Sequence, residues 1–306
     1  MIFSDKITER KRILEPEFMR LMELALKRQK HIGDLLLVEE NGFFSEDALK
    51  FTNSEGGKYS PYAVGPGKEG HSEQTHYTFI DNYRKNNIHK YPYTVYLKGL
   101  KYLSEDKSKY DELIESEETS IQIEMLIYLK FWEADMIIKK LYQFVRILNG
   151  ESYDWYFKIA EGNKKNKNIL SRHEIIRVKI RDRLESISPI LHDLINKTYK
   201  TQIRNSIAHS NYSFAGRVIM LNNYIQDDPY SNISSITFND WIDVFHNTLM
   251  LHNQYIWLNN AIKNFYITFA MKCDNCVPIM ITDKDGNKEE AKLISNSNGN
   301  NWVFMK

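Results

Sequence analysis

Apolar residues between 112 and 148 return at spacings of three and four, with one step of five after Met136: Met125, Leu129, Trp132, Met136, Leu141, Phe144 and Leu148. Residues so spaced share one broad face of an α-helix, so the pattern predicts one long amphipathic helix. Asn149 and Gly150 supply its stop, and the aromatic run at 153–159 predicts a short helix after it. A second stripe joins Ile176, Ile180, Leu184, Ile187, Leu191 and Leu194, with Ser171 able to cap its start. It should run to about Arg204, kinked or broken at Pro189, whose ring removes a backbone hydrogen bond. A polar stretch around Asp227, Asp228 and Pro229 follows. A third helix is then signalled over 239–269 by Trp241, Phe245, Leu251, Leu258, Ile262 and Phe265.

Three helices, each apolar on one side, bury those sides most simply by antiparallel packing. The rest of the chain reads differently. Residues 1–110 look mixed, with an amphipathic helix over 17–30, a Gly- and Pro-rich loop over 53–70, and Tyr-rich sequence after it. Beyond 271, short apolar runs alternate with Asp-Gly and Asn-Gly turns, as two or three strands require. The expected fold class is therefore mainly α: an antiparallel helical bundle over 111–271, a mixed N-terminal region over 1–110, and a small β-hairpin appendage over 272–306.

At 306 residues, with 42% hydrophobic content, the chain can bury one sizeable core and a second smaller one. Lys and Arg total 41 against 40 Asp and Glu, so no global field draws it to nucleic acid or membrane, and any polyanion site must be local. The opening segment is charged where a signal peptide needs an apolar core, and no run of about 18 apolar residues follows. These features predict a soluble, cytoplasmic protein with no membrane partner. Cys273 and Cys276 are too few for a disulfide framework, and zinc would need further ligands from a second subunit. Gly65, Gly67 and Gly70 spell GxGxxG, but the reading predicts neither the strand before nor the helix after that a dinucleotide site requires. HEIIR at His173 lacks the second His of a metalloprotease helix, and DKDGN at 283–287 reads as a hairpin turn rather than a calcium loop. His71, His76 and His89 are expected to be surface or hydrogen-bonded histidines. No metal and no cofactor is expected.

The chemistry-bearing sequence is TQIRNSIAHSNYSF at the end of the second stripe, where Asn205 directly follows Arg204 and Ala208 precedes His209. The same Arg-to-His spacing occurs at Arg84 and His89, so spacing alone selects nothing. The context at 204–209, a long amphipathic helix before and another after, distinguishes it. Arg presents a planar, permanently charged fork suited to phosphate, and His can take or give a proton near neutral pH. Five residues on one straight helix would set the two roughly 140° apart, so either a helix break or a second subunit must bring such a pair together.

Over about 112–270 the chain resembles the HEPN superfamily of helical ribonuclease domains, whose signature is an Arg, commonly followed by Asn, with a His four to six residues on. The resemblance implies a metal-independent endoribonuclease in which Arg204 and His209, with Asn205 orienting them or capping the next turn, promote attack of an RNA 2′-hydroxyl. The products would be a 2′,3′-cyclic phosphate and a 5′-hydroxyl. It implies a homodimer with a composite cleft, a toxin or antiviral-defence setting, and a possible regulatory or antitoxin partner. Glu133 or Asp135 would fill the family's early acidic positions, although Asp135 and Lys139 also read as a surface pair. Lys164, Lys165, Lys167, Arg172 and Arg177 form the clearest basic stretch, which reads either as an RNA track or as a solvated face. The alternative is a catalytically inactive module that binds RNA or a protein partner, with Arg204 tied to an acidic neighbour and His209 in the core.

Overall fold

The computed structural model describes residues 1–54, 60–159, 170–295 and 302–305. Over these the chain is mainly helical, with a small C-terminal sheet of three strands. It divides into two compact units, each assembled from three stretches of sequence. The first takes Met1–Glu17, Gln74–Ala134 and Pro189–Gln254, and the second takes Phe18–Glu73, Asp135–Ser188 and Tyr255–Lys306. The segments 1–110, 111–271 and 272–306 drawn from the hydrophobic pattern are not the same divisions as these units. Helices Ser4–Arg28, Gly67–Asn86 and Phe238–Ala270 each contribute residues to both.

In the first unit, helix Lys107–Trp132 buries Ile121, Met125, Tyr128, Phe131 and Trp132, and Phe238–Ala270 contributes Trp241, Ile242 and Phe245 to the same core. Buried polar groups are tied off. Glu124 accepts from Trp241 Nε1 at 2.9 Å and pairs with the Met1 amino group. Glu117 receives both arms of Arg217 at 2.8 and 2.9 Å, and the Tyr96 hydroxyl at 2.7 Å. His246 accepts from the Phe3 N–H through Nε2 at 3.0 Å and faces the Ile242 carbonyl through Nδ1 at 2.6 Å, the pattern of a neutral imidazole.

The stretch between the second and third long helices is not simply polar loop. Tyr212–Phe214, Val218–Leu221 and Ser235–Thr237 form an antiparallel sheet with the middle strand central. Strands of three or four residues are too short for alternation to register against a helical background.

The second unit is built around helix Asp34–Glu39, whose Leu35, Leu36, Leu37 and Val38 are all buried, and helix Asp135–Leu148, which packs on it. Gly33, just before the first of these, lies so close to strand Cys276–Thr282 that a Cβ there would stand 2.4 Å from Ile279 Cγ2 and 2.6 Å from the Pro278 carbonyl. That strand pairs with Lys288–Ser295, which also pairs with Trp302–Met305, all antiparallel. Asp283 closes the hairpin as DKDGN suggests, accepting from the N–H groups of Asp285 and Asn287 at 2.9 and 2.8 Å.

Several expected boundaries move. The single helix over 112–148 is two, Lys107–Trp132 and Asp135–Leu148, separated at Glu133 and Ala134. The apolar period continues across the break because both halves are buried, but in different units. The second stripe does begin at Ser171, whose N–H donates to Glu174 at 2.9 Å. It continues through a π-helical stretch, Ile175–Arg181, stops before Pro189, resumes as Pro189–Thr198, and breaks again ahead of Thr201–Ala208. The segment 153–159 is not a helix. Gln143 claims the Asp154 backbone with bonds of 2.6 and 3.1 Å, and the Tyr153 hydroxyl and Trp155 indole donate to the Gly42 and Met280 carbonyls. The helix expected over 17–30 is Ser4–Arg28, with Pro16 inside. The GxGxxG segment is followed by helix Gly67–Asn86 after all. The strand before it, Tyr62–Ala63, has two residues and pairs antiparallel with Phe43–Phe44, so no βαβ unit is formed there.

Candidate functional site

The signature helix is Thr201–Ala208 in the first unit. Its apolar positions Ile203 and Ile207 are buried, which turns Arg204 and Asn205 toward the edge of the core, where each is half-buried. Tyr128, fully buried, braces the break ahead of this helix: its hydroxyl donates to the Thr198 carbonyl at 3.2 Å and receives the Lys200 N–H at 3.4 Å.

Glu133 caps the C-terminus of Lys107–Trp132. From there its carboxylate grips Arg204 with both oxygens, one bound by Nε and the other by Nη2 at 2.5 Å. Asn205 Oδ1 accepts from Arg204 Nη1 at 2.8 Å. Hydrogen bonding to Glu133 raises the guanidinium's pKa above an already high value. A guanidinium carries five N–H groups. Among the described residues these bonds occupy three of them, leaving one each on Nη1 and Nη2, and the Arg204 side chain is 25% exposed. Two N–H groups on a fixed plane are what bidentate recognition of a phosphate uses.

His209 is the C-cap, with its N–H bound to the Asn205 carbonyl at 3.0 Å. The helix therefore does not break between Arg204 and His209. It reverses just afterwards. Ser210 takes a left-handed φ of 51°, the Asn211 N–H reaches the Ser206 carbonyl at 2.7 Å, and the Ser206 hydroxyl donates to the Asn211 carbonyl. The result is an imidazole at the tip of a closed turn, exposed, with no hydrogen bond or ion pair among the described residues.

Asp135 stands elsewhere. The break at Ala134 puts it in the second unit, where its carboxylate receives Arg172 through Nε at 2.7 Å and Nη2 at 3.1 Å. Arg172 and Arg177 belong to that unit too, both half-buried, while Arg183 is paired with Glu151 and Arg181 with Asp182. Lys164, Lys165 and Lys167 lie outside the described residues. Of the described acidic and basic candidates, then, Glu133 alone is joined to Arg204.

Three contributors escape any reading of the chain: Tyr128, Ser206 and Gln202. Gln202, 3% exposed, pairs with the Ile233 backbone through its amide, donating at 2.8 Å and accepting at 3.0 Å, and its own carbonyl accepts from Asn223 Nδ2 at 3.0 Å. A Gln on a helix carries no sequence signal for this, since the partners lie 21 and 31 residues on.

Among the described residues, no group of three or more His, Cys, Asp or Glu could hold a metal ion. Cys273 and Cys276 are free thiols, the latter donating to the Cys273 carbonyl at 3.1 Å. No described helix is long and apolar enough to cross a membrane. Comparison with known proteins gives no match to a family model, a curated protein or a solved structure.

Proposed function

We propose that Arg204 and His209 form the working pair of a HEPN-type, metal-independent endoribonuclease. The observation that carries the reading is the contrast within five residues: a guanidinium held flat by Glu133 and Asn205 with two N–H groups to spare among the described residues, and, five positions on, an imidazole that the fold leaves exposed. In the reaction, the ribose 2′-oxygen bonds to the adjacent phosphorus as its proton passes to a base, and the bond from phosphorus to the 5′-oxygen breaks as that oxygen takes a proton. The products are a 2′,3′-cyclic phosphate and a 5′-hydroxyl. Arg204 offers charge and geometry to the crowded phosphorane, and His209 the proton transfer. RNA brings its own nucleophile, so this step needs no metal.

Because the helix runs unbroken from Arg204 to His209, a second copy related by a two-fold axis is the means we favour for assembling the cleft. A toxin or defence role for such an enzyme rests on the HEPN resemblance.

One observation favours a silent binding module instead: Glu133 already neutralises Arg204. The exposed His209 speaks against that reading, which expects a core histidine. The test is cleavage of single-stranded RNA and transfer RNA in excess chelator by wild type, Arg204→Ala and His209→Ala. Loss of at least about a hundredfold in both variants, with cyclic-phosphate ends in the wild-type products, is expected. Equal cleavage by all three, or binding without cleavage by wild type, would overturn the enzyme reading.

A further inference from the structure

The hairpin after the signature helix leads into a loop, 222–234, rooted on that helix at both ends. At one root the Asn222 N–H binds the Asn211 carbonyl at 3.1 Å, and Asn223 binds Gln202. At the other, Ile233 is held by the buried Gln202 amide. The loop is closed on itself by Ile225 N–H to the Ser231 carbonyl at 2.8 Å and by Tyr230 N–H to Asp228 Oδ1 at 2.9 Å. So fastened, it turns its large side chains outward: Tyr224 is 42% exposed, Ile225 56% and Tyr230 66%. Asp227 is exposed beside them, and the loop carries no Lys or Arg.

Exposed rings on a braced loop suit nucleobases, every one of which has a π face, and tyrosine loses little rotamer freedom on stacking. The carboxylates decide how a strand would lie. They repel phosphates, so the backbone must keep away and only a base can occupy the tip. They also accept hydrogen bonds from base edges that donate. Guanine offers two adjacent donors, N1–H and the N2 amino group, which match the two oxygens of one carboxylate. Uracil turns carbonyls toward it on either side of a single N–H.

We propose that the 222–234 loop is the base-recognition platform of the ribonuclease site: Tyr224 and Tyr230 stack on an unpaired base, and Asp227 selects a donor edge, guanine first and uracil last. This rests on the reading of Arg204 and His209 as an RNA site. The substrate is accordingly single-stranded or looped RNA, since a paired base presents neither its face nor its Watson–Crick edge.

The test measures binding apart from cleavage, using short fluorescent 2′-O-methyl oligonucleotides, which lack the nucleophile, with and without one guanosine in a uridine background. Wild type is expected to bind the guanosine strand about tenfold more tightly, a preference that Asp227→Asn abolishes. Tyr224→Ala with Tyr230→Ala is expected to lose about tenfold or more on the guanosine strand, and Tyr230→Phe to keep wild-type affinity. These side chains are exposed, and unchanged melting temperatures would show each variant folded. No guanosine preference in wild type, or a double variant that binds like wild type, overturns the platform. If no oligonucleotide binds at all the platform also falls, and the loop becomes a candidate surface for a protein partner. If wild type binds with this preference but fails to cleave the unmodified strand, the platform stands and the nuclease reading falls.

Discussion

Burial shifts different ionisable groups in the two units, although the first also encloses the paired carboxylates Glu117 and Glu124. The unit that carries Arg204 and His209 encloses two imidazoles, His246 and His252, whose pKa values burial pushes down to about 3 and about 4. In the other, the shifted groups are carboxyls. Burial raises Asp34 to about 6, and burial together with a hydrogen bond that the neutral Glu40 carboxyl donates to neighbouring Glu39 raises Glu40 as well. In each case desolvation disfavours the charged form, but acid and base respond to pH with opposite sign. The signature unit should therefore weaken in acid under conditions that strengthen its neighbour.

The largest expected effect is acidification itself. The unfolded chain protonates its histidines near the ordinary value of 6.5, whereas buried His246 and His252 stay neutral. Stability is intact above about pH 6.5 and falls as pH drops toward 4, at roughly 1.4 kcal/mol per unit for each imidazole. Between pH 6.5 and 4.5 the first unit should lose about 5 kcal/mol. Asp34 works the other way: its folded pKa lies above its unfolded value of 3.8, so the second unit gains stability as pH falls from about 6 toward 4. Amide exchange followed region by region checks this, and equal acid responses in the two units would break the comparison.

Next comes Glu117→Ala. Removing this buried partner strands Arg217 and the Tyr96 hydroxyl, for a loss of about 4 kcal/mol confined to the first unit. Chemical denaturation with exchange protection as the regional readout should find Lys107–Trp132 weakened and the C-terminal sheet unmoved. The smallest effect is Asp34→Asn, which keeps an acceptor for the His31 N–H at 3.1 Å while removing the charge on a carboxylate whose Oδ1 has no hydrogen-bond partner among the described residues. A gain of about 2 kcal/mol at pH 7 is expected in the second unit, and the gain should vanish at pH 4. A variant less stable than wild type at pH 7 would mean that the Asp34 carboxylate has a role in the fold that desolvation does not describe.

Much of the helical content was legible because burying one face of a helix demands a period of 3.6 residues, and Leu251, Leu258 and Ile262 keep that period along the third helix. The break at Glu133 and Ala134 was not legible, since the apolar period runs through it. The sheet that follows His209 was invisible for the same kind of reason: Tyr212–Phe214 pairs with Val218–Leu221 by backbone hydrogen bonds, which leave no mark on side-chain pattern over three residues. At the site, Arg204, Asn205 and His209 could be named from local sequence alone. Nothing local separates Glu133 from Asp135, two residues apart and equally acidic. The helix break does so, giving one to Arg204 and the other to Arg172.

That much of 112–148, 171–204 and 239–269 is helical, where Gly150 and Pro189 end or restart helices, and which residues could bind phosphate and move protons follow from the chain read in order, because helix periodicity, capping and side-chain chemistry are local properties. The grouping of distant stretches into two units, the carboxylate that holds Arg204, the clasp of Gln202 on residues 21 and 31 positions away, and the outward display of Tyr224 and Tyr230 came only with the tertiary structure. Each depends on a contact between parts of the chain far apart in sequence, and such contacts are set by how surfaces fit once folded, which no local pattern encodes.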